Sequence, residues 1–371
     1  PPPPAAVPLL RTRLNLTLAP VDRVQAFVQI QDSRRFGEGD PALARGTMDA
    51  SAGQIDLHQA YFKVTDLFDV PLSVQIGRQE LAYGNQRLIG SVGWSNVGRS
   101  FDAGVLAYDG DRASVDLFAA RLVGAAAEDA GSQNLFGLYS TWQLAANHSL
   151  DVYGLLDNDT NDTPDPDGDP VDRLFRFTPG VQLQGTGGAF SYRLEAAYQT
   201  GKQSVAPSEP RATLQAYLLG VQGGYAFPTR RDLTLQAGYT RLSGDETPTD
   251  DVRGQFNTLF ATNHKFYGYM DYFPGTATPY GLQDVYLKTS LNVSEVVTLA
   301  ADVHHFAQAE AAPGRSLQAF GQEVDLTATY QFADPVTFRI GVSGFRPAGA
   351  MEALGNEDLA YWGYVMSVIN F

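Results

Sequence analysis

Arginine dominates the groups in this chain that could do chemistry: there are 22 Arg, 4 Lys, 5 His and no Cys in 371 residues. Without cysteine there is no thiolate nucleophile, disulfide or zinc–thiolate site. Arginine keeps its proton at any physiological pH and presents a planar fork of donors to carboxylate or phosphate. Its natural work is holding and steering anions. In "RTRLNLTLAP" (11–20), Arg11 and Arg13 fall on one side of a two-residue alternation, and Leu14, Leu16 and Leu18 on the other. In "IGRQELAYGNQRLIGSVGWSNVGRSFDAGVLAYDG" (76–110), Arg78 sits in a strand-like run, followed by a polar loop with Arg87, Trp94 and Arg99, and all four are candidate pore-lining residues. In "FNTLFATNHKFYGYMDYF" (256–273), His264 and Lys265 stand beside Tyr267 and Tyr269. Cations next to tyrosines suit sugar stacking and carboxylate binding; they equally suit a self-packed loop that caps a pore.

Further charges lie on the polar faces of alternating segments. Arg176, Arg193, Lys288 and Arg339 share those faces with Asp116, Glu195, Asp284, Asp302, Glu323 and Asp325. Such cations can form a ladder that attracts carboxylates, as in anion-selective pores. They can also form a lattice of salt bridges with the acids, stiffening a wide barrel; Arg193 and Glu195, two apart, are placed for pairing. The segment "DNDTNDTPDPDGDPVD" (157–172) carries seven aspartates. Ca2+ at Asp165, Asp167 and Asp169 is its weaker reading, because Thr163 and Leu174 stand where an EF-hand loop needs acidic ligands. A solvated acidic outer loop is the stronger one, and no other cofactor is expected. His58, His148, His264, His304 and His305 show no two-His, one-carboxylate spacing, and no nucleophile–base–orienter set is readable, so no enzyme is expected.

The elements that must position these groups are strands. Seventeen segments of about ten residues with strand-like composition run from 9–18 to 359–371, many with one apolar and one polar face. In "FGQEVDLTATYQF", Phe320, Val324, Leu326, Ala328, Tyr330 and Phe332 oppose Gly321, Glu323, Asp325, Thr327, Thr329 and Gln331. The links alternate strictly between short and long. Turns such as "APVD", "YDGD", "GTGG" and "FADP" separate long polar loops near 33–53, 81–100, 123–132, 158–172, 201–212, 243–279, 308–318 and 347–358. That rhythm belongs to transmembrane barrels, with short periplasmic turns and long outer loops. There is no run of 18 apolar residues for a membrane helix. The leucines of the opening strand then face lipid and Arg11 and Arg13 the lumen, since a charge on the lipid face at midplane costs about 2–4 kcal/mol.

These patterns predict an all-β fold: a transmembrane antiparallel up-and-down barrel over residues 9–371, with residues 1–8, "PPPPAAVP", as a tail or arm. The first strand read and the last both end at the periplasm, which an even antiparallel barrel forbids for neighbours. An 18-stranded barrel with a strand ahead of Pro1, or a 16-stranded one, resolves the parity. The net charge of −15 excludes a nucleic-acid binder, whose affinity rests on basic patches.

On the two quoted stretches, 76–110 and 256–273, the chain resembles the alginate-export family of outer-membrane proteins. The order of strands and loops fits that family over essentially the whole length. The resemblance implies a monomeric 18-stranded barrel in the bacterial outer membrane, embedded in lipid and lipopolysaccharide, with periplasmic export partners. It also implies an arginine-rich constriction that passes an anionic polysaccharide. The inferred inward set departs from a strongly electropositive pore by mixing acids with bases. The expected function is passive passage of an anionic, alginate-like polysaccharide or oligosaccharide. The rivals are a general or small-anion porin and a plugged surface receptor or adhesin.

Overall fold

The alternation of β-branched and aromatic residues with polar ones produces strands along nearly the whole chain. The computed structural model describes residues 7–35, 55–122, 132–164, 170–204, 209–228, 231–247, 250–273, 278–352, 355 and 357–371. The first strands are β1 (Leu9–Val21), β2 (Val24–Arg35), β3 (Ile55–Val64), β4 (Leu72–Gln79), β5 (Phe101–Asp109) and β6 (Ala113–Leu122). The middle of the wall is β7 (Gln133–Ala145), β8 (His148–Pro164), β9 (Pro170–Gly187), β10 (Phe190–Gln203), β11 (Ala212–Ala226) and β12 (Thr234–Leu242). After the two-residue β13 (Val252–Arg253) come β14 (Leu282–Ser294), β15 (Val297–Ala307), β16 (Ala319–Ala333), β17 (Val336–Pro347) and β18 (Ala360–Ile369).

All eighteen belong to one sheet. Seventeen are long and meander, each antiparallel to the next, with β12 pairing directly to β14. The exception is β13, which runs parallel to β11 at Thr213 and Leu214. β1 and β18 run in the same direction and are not paired to each other among the described residues. A single loop segment touches both: Arg11 of β1 donates to the carbonyls of Gly93 and Ser95, at 3.1 and 2.7 Å, while Trp94 meets the ring of Tyr364 on β18 edge-on at 4.8 Å.

The two faces separate as alternation requires. Leu14 (67% exposed), Leu16, Leu18, Ile340, Val342, Val324 and Leu326 form part of an outward apolar belt with no protein against it, the surface that lipid covers. At the short-turn end, Phe190, Tyr225 and Phe227 make edge-on contacts, as do Phe332 with Tyr330 and Phe338. These are the rings of an interfacial girdle.

Two expectations change here. Phe320 turns inward and is 3% exposed, because it is the extra residue where the β15–β16 register slips between Phe306 and Ala307; a bulge moves a side chain to the other face. The acidic stretch 158–172 is mostly hairpin, β8 and β9 pairing out to Pro164 and Pro170. Asp165, Asp167 and Asp169 lie outside the described residues, as do residues 1–6 of the expected tail; among the described residues no group of His, Asp and Glu could hold a metal ion.

Candidate pore constriction

Two long loops fold into the barrel. The first, between β4 and β5, and the second, between β13 and β14, join through backbone bonds. Gly90 N donates to Phe260 O at 2.8 Å, Phe260 N to Leu88 O at 2.8 Å, and Thr262 N to Gln86 O at 2.9 Å. Gly90 has no room to spare: a Cβ there would lie 2.3 Å from Thr262 Oγ1, so a larger residue forces a neighbour to shift. Leu88, Ile89, Phe256, Phe266, Tyr267 and Phe273 from the loops pack against Phe101, Phe118, Leu135, Leu218, Phe306 and Phe345 from the wall. The barrel interior is therefore filled at this level rather than open across its width.

Arg87 is the centre of the joint. Its Nε donates to Glu195 Oε2 on β10 at 3.0 Å, its Nη1 donates to Tyr267 OH at 3.2 Å, and its guanidinium lies 4.1 Å from the Phe266 ring centre. Both side chains of the Arg87–Glu195 pair are 6% exposed. Burial alone would lower the Arg87 guanidinium, but Tyr267 and Glu195 outweigh it and hold it above its ordinary value. Arg99 is different. It donates to the carbonyls of Gly90 at 3.3 Å and Ala261 at 3.2 Å, and to that of Phe260. With no carboxylate among these partners, burial pulls it down to about 10, so it remains a cation at neutral pH. Both arginines pin loop to loop and are not exposed on the pore surface.

Trp94 stacks on His264 at 4.3 Å, and His264 on Tyr269 at 5.0 Å, with Trp362 and Tyr364 of β18 beside Trp94. His264 Nδ1 is 2.9 Å from Asp271 Oδ2. The far end of the second loop is held by Glu323, whose Oε1 accepts from Met270 N at 2.8 Å. A Cβ on Gly268, at φ +79°, would lie 2.5 Å from the Glu323 carboxyl carbon.

The remaining cations divide into two groups. In the first, carboxylates neutralise them: Arg13 with Glu80 (3.1 Å), Arg176 with Asp157 (3.1 Å) and Lys288 with Asp302 (2.8 Å). In the second, the hydrogen bonds found among the described residues go to neutral groups. Arg193 donates to Gln184 Oε1 at 3.1 Å, Lys265 to Asn85 O at 3.2 Å and Arg339 to Thr329 Oγ1 at 3.3 Å. Lys265 lies close enough to Arg193, Arg87 and Lys288 that these cations, after burial, push its ammonium below its ordinary value. Two strands of the wall, at Arg193 and Lys288, and both inward loops, at Arg87 and Lys265, thus bring positive charge toward one place. Asp325 faces the same lumen and accepts from Ser343.

Arg78 belongs elsewhere. It shares the outward face with Ile76, itself 47% exposed, and pairs with Asp102 at 2.8 Å across to β5. The buried neighbour Gln79 points inward instead, and Arg78 is not a pore-lining residue. Sequence reading also missed Glu80 and weighed His58 only as a metal ligand; both join Arg13 in one cluster, with His58 Nε2 3.0 Å from Glu80 Oε1 and 2.8 Å from Arg13 Nη2. Nothing in the two-residue period marks Glu80, which lies just past the end of β4. Arg253, 3.5 Å from Asp245, was likewise hidden in a loop.

The fold has close counterparts among solved structures. The outer membrane protein OprD of Pseudomonas aeruginosa aligns with TM-score 0.59 at 12% identity, covering 98% of this chain and 92% of that one. OccK8 (OprE) of the same organism aligns at 0.60 and 9%, covering 97% and 91%. OpdK of that organism, crystallised with vanillate, aligns at 0.59 and 9%, covering 97% and 92%. At such identities the likeness is one of fold. No curated protein matches the sequence. The family model described as alginate export matches residues 7–365, nearly the whole chain, and the chain belongs to that family of outer-membrane β-barrel proteins.

Proposed function

We propose that this outer-membrane channel passes an anionic saccharide, alginate-like in bearing carboxylates on sugar rings, by passive diffusion past the loop constriction. The observation that carries this reading is the convergence of Arg193, Lys265 and Lys288 beside Arg87, with Arg193 and Lys265 bonded only to neutral acceptors. A cation with no carboxylate hydrogen-bonded to it keeps more of its field for a passing anion, and Arg193 and Lys265 are of that kind. Tyr269 and Trp94 offer aromatic faces beside the same loop. Passage takes place in lipid and lipopolysaccharide surroundings by a monomer, with periplasmic partners delivering the polymer.

The neutralised pairs at Arg13, Arg176 and Lys288 favour a second reading, a general or small-anion porin with a nearly balanced lumen. Single-channel recording separates the two. Oligouronates added to wild-type channels in a planar bilayer should block the current, and Arg193→Gln with Lys265→Gln should relieve that block. A conductance untouched by oligouronates overturns the saccharide reading in favour of the porin.

A further inference from the structure

The outer end of the wall holds a second feature that the constriction does not use, a cavity of about 530 Å³. It lies between the long-loop ends of β7–β10 and the inward-folded Asn257, Leu259 and Phe260, and its size falls in the range of about 300–1,000 Å³ typical of small-molecule sites. Arg176, 7% exposed, faces it from β9. Its Nη1 donates to Asp157 Oδ2 at 3.1 Å, but its Nε is buried without a partner. Asp157 is already served on its other oxygen by Gln133 Nε2 at 2.8 Å. The donor is thus in excess, and a bound acceptor would remove the cost of leaving it dry. Arg253 reaches the same space; its Nη1 donates to the carbonyls of Asp250 and Val252, both at 3.2 Å, and its one carboxylate contact among the described residues is the 3.5 Å approach to Asp245.

We propose that this cavity binds one uronate-type unit, a sugar ring bearing a single carboxylate, at the mouth of the channel. The carboxylate would sit on Arg176 Nε with Arg253 adding positive charge. Ring hydroxyls would meet the amides of Gln203 and Asn257, and the apolar ring face would lie on Phe260. Arg173, Arg176 and Arg253 outnumber Asp157 and Asp159 around this space, which favours an anionic sugar over a neutral one, and the amides and the Phe260 ring give a sugar contacts that inorganic phosphate lacks. This inference rests on the passage of anionic saccharides proposed above and adds where the channel first holds them.

The test is calorimetric titration of the detergent-solubilised full chain with tri-galacturonate, maltotriose and inorganic phosphate. Arg176→Lys keeps the charge beside Asp157 but has no Nε donor. Gln203, whose side chain makes no hydrogen bond among the described residues, becomes Trp to fill the cavity without touching the ion pair. Both variants should weaken tri-galacturonate by about tenfold, the worth of one charge-assisted hydrogen bond. Maltotriose and phosphate should bind wild type at least tenfold more weakly. Unchanged affinity in Gln203→Trp, or maltotriose or phosphate binding as tightly as the uronate, overturns the site. Bilayer recordings keep the two readings apart. Uronate block that is lost in Arg193→Gln while Gln203→Trp leaves binding unchanged sinks the mouth site alone. Binding weakened by Gln203→Trp in a channel that uronates never block supports the mouth site and sinks the passage.

Discussion

Replacing Arg87 by Met should release the inward loops without unfolding the barrel. Among the described residues the guanidinium is the one first-loop side chain that bonds both the β10 wall, at Glu195, and the second loop, at Tyr267. Arg87→Met leaves the Glu195 side chain, 6% exposed, as a buried carboxylate without its hydrogen-bonded cation. Removing one partner of a buried pair costs about 3–5 kcal/mol, whereas replacing both by apolar groups is often close to neutral. The opening equilibrium of the loops should therefore rise by roughly 150- to 5,000-fold in Arg87→Met. Most of that should be recovered in the double variant Arg87→Met with Glu195→Leu. Hydrogen exchange at the Gly90 and Phe260 amides, which bond the two loops together, reads this opening directly. A change in their protection of less than about threefold, or a double variant no better than the single one, would refute the reasoning.

Other consequences are as specific. Gly90→Ala drives a Cβ to within 2.3 Å of Thr262 Oγ1 and 2.8 Å of Gln86; overpacking of this kind costs about 1–3 kcal/mol, and Thr262→Ala should restore part of the lost amide protection. Glu80, outside the strands, is pushed up by burial but more strongly down by His58 and Arg13, and ends below its ordinary value. The sign follows: a depressed carboxyl contributes stability above its unfolded value and loses it as pH falls through the folded one. Loop protection near Arg13 should hold down to about pH 4.5 and fall below that, and Glu80→Gln should erase the acid-side change in a pH series of hydrogen exchange. Arg78→Gln should leave the ion selectivity of the channel unaltered and shift stability by at most about 1 kcal/mol, because the pair with Asp102 is outward and part-exposed; a changed reversal potential would put Arg78 back in the lumen.

The barrel was legible in the chain because its faces meet different media. Lipid outside and polar lumen inside impose a period of two that survives in β1 and β16, and the strict alternation of turns and loops carries the topology. Register defects were not legible. Phe320 moves inward through a bulge, whereas Arg78, a pore-lining candidate by residue type, sits in regular register on the outer face with Ile76. The loops were harder still. Residue types single out Arg87, Trp94 and Arg99 in one loop and His264, Lys265, Tyr267 and Tyr269 in another; that the two loops join is visible only in the structure. Whether a loop arginine meets a carboxylate or a row of carbonyls depends on contacts across more than a hundred residues, as between Arg87 and Glu195. No local pattern encodes such a contact. The same holds for Asp157, whose place beside Arg176 comes from strand pairing.

The most direct measurement is the reversal potential of single channels under a potassium chloride gradient, for wild type and for Arg193→Gln with Lys265→Gln. Cations left without carboxylates at the constriction predict an anion-selective wild type whose preference falls toward neutrality in the double variant. A wild-type channel that prefers potassium, or a preference that the double variant leaves in place, would contradict a lumen built to pass anions.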